Sequence, residues 1–111
     1  MASCGYALRS VIHEIGSCPS WVKNSCSCLL VDDCARILEE TELLKKANVV
    51  AGSLSLLDRK RLELARAMAT GPELLLLDEI AGGLTEGECK ALVATIQTIH
   101  ARGTTIIWIE H

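Results

Sequence analysis

The sequence predicts an α/β fold in which a parallel β-α-β unit is preceded by helices. A run of four leucines at residues 74–77 follows a Gly-Pro break, as expected for a parallel strand buried on both faces. A helical pattern follows at residues 86–101 and ends near a glycine. A β-branched and aromatic stretch at residues 104–109 then predicts a second buried strand. Because strand, helix and strand in this order form a right-handed crossover, the two strands should be parallel.

Composition excludes two classes of protein. The chain has 111 residues, of which 50% are hydrophobic, and this is enough for one small domain with its own core. No apolar run approaches the roughly 20 residues of a membrane-spanning helix. The formal net charge is −3, and lysine and arginine are interspersed among acids. Since this leaves no basic stripe, we predict no nucleic-acid partner.

Residues 1–34 form an unassigned segment, which we predict to be irregular or helical and separate from residues 35–111. The segment mixes serine, glycine and proline and contains five of the six cysteines. The Cys-Ser-Cys at residues 26–28 is closer than the pairs that hold zinc. With no signal peptide expected, reduced thiols are the default. A small cysteine-rich metal-binding module is an alternative, less supported interpretation of the whole chain.

A first amphipathic helix is predicted over residues 34–47. The side of this helix that should face the core carries Ile37, Leu38, Thr41 and Leu44. The charged residues should lie largely outside: Glu39, Glu40, Glu42, Lys45 and Lys46. Acids early and lysines late also suit the helix dipole.

A second helix is predicted to begin after Ser55, whose hydroxyl can cap it, with Asp58 in its first turn. Its core stripe consists of Leu62, Ala65, Met68 and Ala69. The unpaired N–H groups at the start of such a helix can receive a phosphate. An ordinary capped helix would carry the same residues.

Two acids follow the leucine run directly. Asp78 and Glu79 leave the carboxyl end of the first strand, where open α/β sheets bind ligands, and His111 follows the second strand. Neighbouring carboxylates suit Mg²⁺ and water, although a buried strand followed by two solvated acids would look the same. Thr85 and Glu88 have the spacing of a capping box for the intervening helix.

In order and spacing, these segments resemble an ABC-type ATPase. The leucine run with its two acids resembles the Walker B element, and Ala-Gly-Ser-Leu-Ser at 51–55 with Arg-Leu-Glu-Leu-Ala-Arg-Ala at 61–67 resembles the signature segment and its helix. Ala-Gly-Gly-Leu-Thr at 81–85 stands where the D-loop would be, and Ile-Glu-His at 109–111 where the switch histidine would be. The sequences of these segments are most similar to those of ATP-binding subunits of branched-chain amino-acid ABC transporters. The resemblance covers residues 35–111 and implies a partial P-loop NTPase core.

The resemblance implies a role for each of four residues. Asp78 would organise Mg²⁺, and Glu79 would polarise the attacking water. His111 would contact the γ-phosphate of ATP, and Ser55 would meet the γ-phosphate of ATP held by the opposite subunit. The implied partners are a second ATPase subunit and transmembrane permease subunits. The implied function is ATP hydrolysis that energises branched-chain amino-acid import, on the cytoplasmic face of the cell membrane.

The chain departs from the family pattern at several points. Residues 54–58 read Leu-Ser-Leu-Leu-Asp in place of Leu-Ser-Gly-Gly-Gln, Ile80 replaces the usual proline, and Thr85 replaces the D-loop aspartate. The two leucines and the acid would hinder phosphate contact. No Gly-x-x-x-x-Gly-Lys-Ser/Thr loop occurs, and Gln97, the single glutamine, lies in a predicted helix.

We therefore expect a C-terminal-half fragment of an ATPase that does not hydrolyse ATP alone, because the cradle for the β- and γ-phosphates is missing. The alternative is a non-enzymatic interaction protein that pairs with a complete ABC ATPase subunit.

Overall fold

A computed structural model of the chain describes residues 27–111, with side chains from Asp32 onward. The helices and strands, in chain order, are α1 (Ser27–Glu40), α2 (Leu56–Met68), β1 (Leu74–Asp78), α3 (Glu86–Ala101) and β2 (Thr105–Ile109). Two short 3₁₀ turns, Leu44–Lys46 and Ala51–Ser53, connect α1 to α2. Most of the predicted segment 1–34 lies outside the described residues, and the boundary proposed at 34/35 falls inside α1.

The two strands form a parallel pair, as the order of elements predicts. Leu74 lies opposite Thr105, and Asp78 lies opposite Ile109. Helix α3 makes the crossover between them and has the predicted bounds, 86–101. The carboxyl ends of β1 and β2 therefore meet at the same edge of the sheet.

Two hydrophobic clusters hold these elements together. The first joins α1 to α2 and their connection, and its members are Cys34, Ile37, Leu38, Leu43, Leu54, Leu62 and Ala65. The second joins one face of the sheet to α2 and α3, and its members are Leu64, Leu75, Leu77, Ile80, Leu92, Ile96 and Ile99. Helix α2 contributes to both clusters, so it is the element that connects the two parts of the described fold.

The predicted helix caps are confirmed. The Ser55 hydroxyl accepts a hydrogen bond from the Asp58 N–H at the start of α2. Thr85 and Glu88 form a reciprocal capping box at the start of α3. Because each cap satisfies N–H groups that have no partner within the helix, these residues fix where α2 and α3 begin.

The bounds predicted for the first helix are wrong. Helix α1 already includes Ser27 and ends at Glu40, because Glu42 adopts a left-handed conformation with φ 59°. The Glu42 N–H bonds to the Glu39 carbonyl and the Leu43 N–H to the Leu38 carbonyl, which is the Schellman arrangement that ends helices.

Two side chains near this helix end also differ from the prediction. Leu44 is 43% exposed because it follows the break and no longer shares the helical period. Glu40 is buried because its carboxylate accepts from Arg36 and from Arg102 at the end of α3.

The sheet is buried on one face, not on both as the leucine run predicts. Leu75 and Leu77 pack against the helices, whereas Leu76 is 67% exposed and Ile107 beside it is 47% exposed. Leu74 and Ile109 complete this exposed apolar stripe, which we call the open face. The reason is that α2 and α3 both cover the same side, and no other described element covers the opposite one.

We expect the purified chain to self-associate through the open face, because parallel sheets are normally covered on both faces and exposed apolar patches favour association. Replacing Leu76 and Ile107 with threonine keeps residues that suit a strand and should shift the chain toward monomer in analytical ultracentrifugation. Leu44→Thr is the control, since it removes a leucine that is also exposed, at 43%, but lies away from the sheet. A wild-type chain that is monodisperse and monomeric would contradict the prediction.

Candidate functional site

The carboxyl ends of the two strands bring together three of the four predicted site residues. The Nε2 atom of His111 lies 3.5 Å from Oε1 of Glu79. The Glu79 N–H donates to the Ile109 carbonyl over 2.9 Å, so it extends the strand pairing by one bond beyond Asp78. All three side chains are accessible, Glu79 at 61% and His111 at 76% exposure. A carboxylate pair and an imidazole therefore face solvent at one edge of the sheet.

The backbone turns sharply at Glu79. This residue has φ 47°, a left-handed conformation that glycine adopts readily and glutamate does not. Gly82 follows closely, and a side-chain carbon there would come within 3.3 Å of the Glu79 carbonyl oxygen. The turn ends at Gly83, which has φ 81°. A non-glycine residue in such a conformation costs about 1–3 kcal/mol, and such residues are enriched at functional sites.

Glu110, which the sequence analysis left without a role, joins the turn after β1 to β2. Its Oε1 accepts from the Ala81 backbone N–H over 2.9 Å and from the Trp108 indole N–H. These two bonds hold the pKa of Glu110 below its usual value. Glu110 is the middle residue of the Ile-Glu-His segment, so its place beside His111 was a signal, but the sequence does not indicate its bonds to Ala81 and Trp108.

The amino end of α2 contains the fourth predicted residue, Ser55. Its Oγ donates to Oδ2 of Asp58 over 2.8 Å, besides accepting from the Asp58 N–H. A side-chain carbon on Gly83 would come within 3.1 Å of Leu56 Cδ2, so the start of α2 lies against the turn after β1. Ser55 is thus near this loop but belongs to a different element from the two acids.

Asp58 is a charged group at the centre of a small network. Its side chain is 6% exposed and accepts from the Lys46 ammonium group, while Oδ1 lies 3.8 Å from Nη1 of Arg61. Arg61 in turn donates to Glu42, the residue that ends α1. Burial acts to raise the pKa of Asp58, but the hydrogen bonds from Lys46 and Ser55 and the two positive charges outweigh it, so the pKa is lowered.

Comparison with known proteins shows what this arrangement resembles. The chain is 45% identical over 84 residues to the high-affinity branched-chain amino acid transport ATP-binding protein LivG of Escherichia coli K12, covering 73% of this chain and 32% of that protein. It is 44% identical over 80 residues to the corresponding BraF protein of Pseudomonas aeruginosa, covering 69% and 31%. No protein-family model matches the sequence.

The fold gives the same result. A crystal structure of a nucleotide-free ATP-binding cassette from an ABC transporter superposes with a TM-score of 0.79 at 25% identity, covering 96% of this chain and 45% of that one. In sequence and in fold, this chain is therefore similar to part of an ATP-binding cassette. It spans about a third of the length of the curated relatives it matches. Within the described residues, no helix is both long and apolar enough to cross a membrane.

The two acids after the leucine run fit a magnesium ion that is bound only in part by protein. The carboxylate of Asp78 could supply a hard oxygen ligand, and the described residues contain no cluster of three or more histidine, cysteine or acidic side chains that could enclose a metal. Mg²⁺ in phosphate-transfer sites commonly takes one or two carboxylates and completes its shell with water and substrate phosphates. The carboxylate of Asp78 is a ligand of the kind that such an ion takes.

Proposed function

We propose that this cassette chain is part of an ATP-hydrolysing subunit that energises the import of branched-chain amino acids. The observation that carries the proposal is the Glu79–His111 pair, 3.5 Å apart and next to Asp78 at the carboxyl ends of two parallel strands. The similarity to LivG and BraF supports the solute class.

Each residue of the pair has a chemical task in this proposal. Asp78 would hold Mg²⁺, which supplies charge stabilisation at the phosphates when bound. Glu79 would orient and polarise the attacking water, and His111 would contact the γ-phosphate oxygens while keeping the Glu79 carboxylate in place. Phosphoryl transfer depends mainly on positioning and electrostatics, so a left-handed Glu79 fixed by strand bonds suits this task.

The proposal extends to Ser55 and to partners. Ser55 at the amino end of α2 would act toward ATP held by a second ATPase subunit, and transmembrane permease subunits would complete the transporter at the inner face of the membrane. The Ser55–Asp58 bond weakens the case for Ser55, because it engages the hydroxyl that would reach the phosphate.

A chimera tests this proposal. Residues 35–111 of this chain would replace the matching stretch of E. coli LivG. The rest of LivG would supply the part of the subunit that this chain does not cover. We expect Mg²⁺-dependent ATP hydrolysis by the chimera well above that of residues 1–111 alone, which carry no Walker A pattern. The measurement is phosphate release, with unmodified LivG as the reference. A chimera that folds and binds nucleotide but releases no phosphate would contradict the proposed function.

The open face favours a second candidate, a non-enzymatic protein that pairs with a complete ABC ATPase subunit. Leu74, Leu76, Ile107 and Ile109 offer an apolar surface that such a partner could cover. Co-purification of the chain with full-length LivG, lost on changing Leu76 and Ile107 to threonine, would support this candidate. If the chimera is also inactive, pairing becomes the leading function.

A further inference from the structure

We propose that Glu110 is a positioning residue that holds the Glu79–His111 pair together. Its carboxylate bonds to the Ala81 N–H, two residues after Glu79, and to the indole of Trp108, which lies on β2. The carboxylate thus crosses from the strand that ends beside His111 to the turn that contains Glu79. Its importance for catalysis rests on the proposed function, whereas the contact itself does not.

The need for such a tie follows from the backbone of the turn. Glu79 is held in a left-handed conformation, and β1 pairing ends there with one bond, from the Glu79 N–H to the Ile109 carbonyl. The Glu110 carboxylate adds a second tie from the β2 end, at the Ala81 N–H, on the other side of Glu79. Two ties that flank Glu79 limit how far its side chain can move from His111.

The two hydrogen bonds to the Glu110 carboxylate also fix its orientation. An ionised carboxylate accepts shorter and stronger hydrogen bonds than a neutral group, and both donors point to the same oxygen, Oε1. Trp108 is partly buried against the second hydrophobic cluster, so its ring fixes where that oxygen lies. Glu110 is therefore placed by the core and in turn places the loop.

The test measures the coupling between Glu79 and His111 in the complete chain by NMR. In the wild type, Glu79→Gln should displace the His111 ring Hε1 signal, because the carboxylate is 3.5 Å from the imidazole. With Glu110→Ala, the displacement caused by Glu79→Gln should fall to less than about half. With Glu110→Gln it should be largely retained, since an amide oxygen still accepts from Ala81 and Trp108.

Glu88→Ala provides the matched control. Glu88 also accepts from a backbone N–H near a loop, that of Thr85, but it lies at the start of α3, away from the pair. It should leave the His111 displacement unchanged even if it lowers stability. Equal displacement in the Glu110→Ala and wild-type backgrounds would overturn the proposal, as would an equal loss with Glu88→Ala. These signals need no ATP, so they separate this inference from the outcome of the chimera.

Discussion

Asp58→Ala should lower the free energy of unfolding by about 2–4 kcal/mol, the range expected when one partner of a buried, hydrogen-bonded charge network is removed. The variant loses the bond to Ser55 at the start of α2, the bond to Lys46, and the charge facing Arg61. Arg61 keeps Glu42, and Lys46 is half exposed, so neither cation is left fully uncompensated. Urea denaturation followed by circular dichroism measures the change. The free energy of unfolding of a native protein is only about 5–15 kcal/mol in total, so this loss would be large.

Asp33→Ala is the control for this prediction, because Asp33 pairs with Arg36 at the surface and should change stability by less than about 0.5 kcal/mol. The pH dependence adds a second check. The pKa of Asp58 is lower in the folded chain than its ordinary 3.8, so the ionised form stabilises the fold above that pH. This contribution should disappear as the pH falls through the folded-state pKa. Asp58→Asn should lack the decrease, and equal acid sensitivity in both proteins would contradict the assignment.

The Asp58 network shows where sequence reasoning stopped. Ser55 and Asp58 could be predicted as a cap and a first-turn acid because both effects act within one turn of helix. That Lys46 and Arg61 would converge on Asp58 could not be predicted, since it depends on how α1 ends. The left-handed Glu42 ends α1 at Glu40, before Lys45 and Lys46, and the turn that follows brings Lys46 to Asp58.

The location of the site residues can be predicted from the sequence more fully than the contacts that hold them in place. Asp78 ends β1 and His111 follows β2, and parallel strands place their carboxyl ends together, so their location at one edge of the sheet follows from topology alone. The left-handed turn at Glu79 and the role of Glu110 depend on bonds between residues about 30 positions apart, which no local pattern encodes. The open face could not be predicted for a related reason. Four leucines in a row are compatible with a strand covered on both faces, but residues 27–111 cover only one face of the sheet.

Glu79→Gln in the LivG chimera should lower the rate of ATP hydrolysis by about 10²–10⁴-fold, the usual contribution of a positioned general base. Glutamine has the same shape and replaces the carboxylate with a neutral amide, so the left-handed turn and the bond to Ile109 should survive. Phosphate release at saturating MgATP measures the rate, and nucleotide binding by the same protein should change little.

The control is Glu73→Gln, which alters an exposed acid just before β1, at the opposite end of that strand. It should leave hydrolysis within about twofold of the chimera, since the five residues of β1 separate Glu73 from Glu79. If Glu79→Gln also left the rate within a few-fold, the attacking water would have to be polarised by another group. The pairing of Glu79 with His111 would then be a contact that shapes the loop, and the chemistry assigned to it would have to move elsewhere in the cassette.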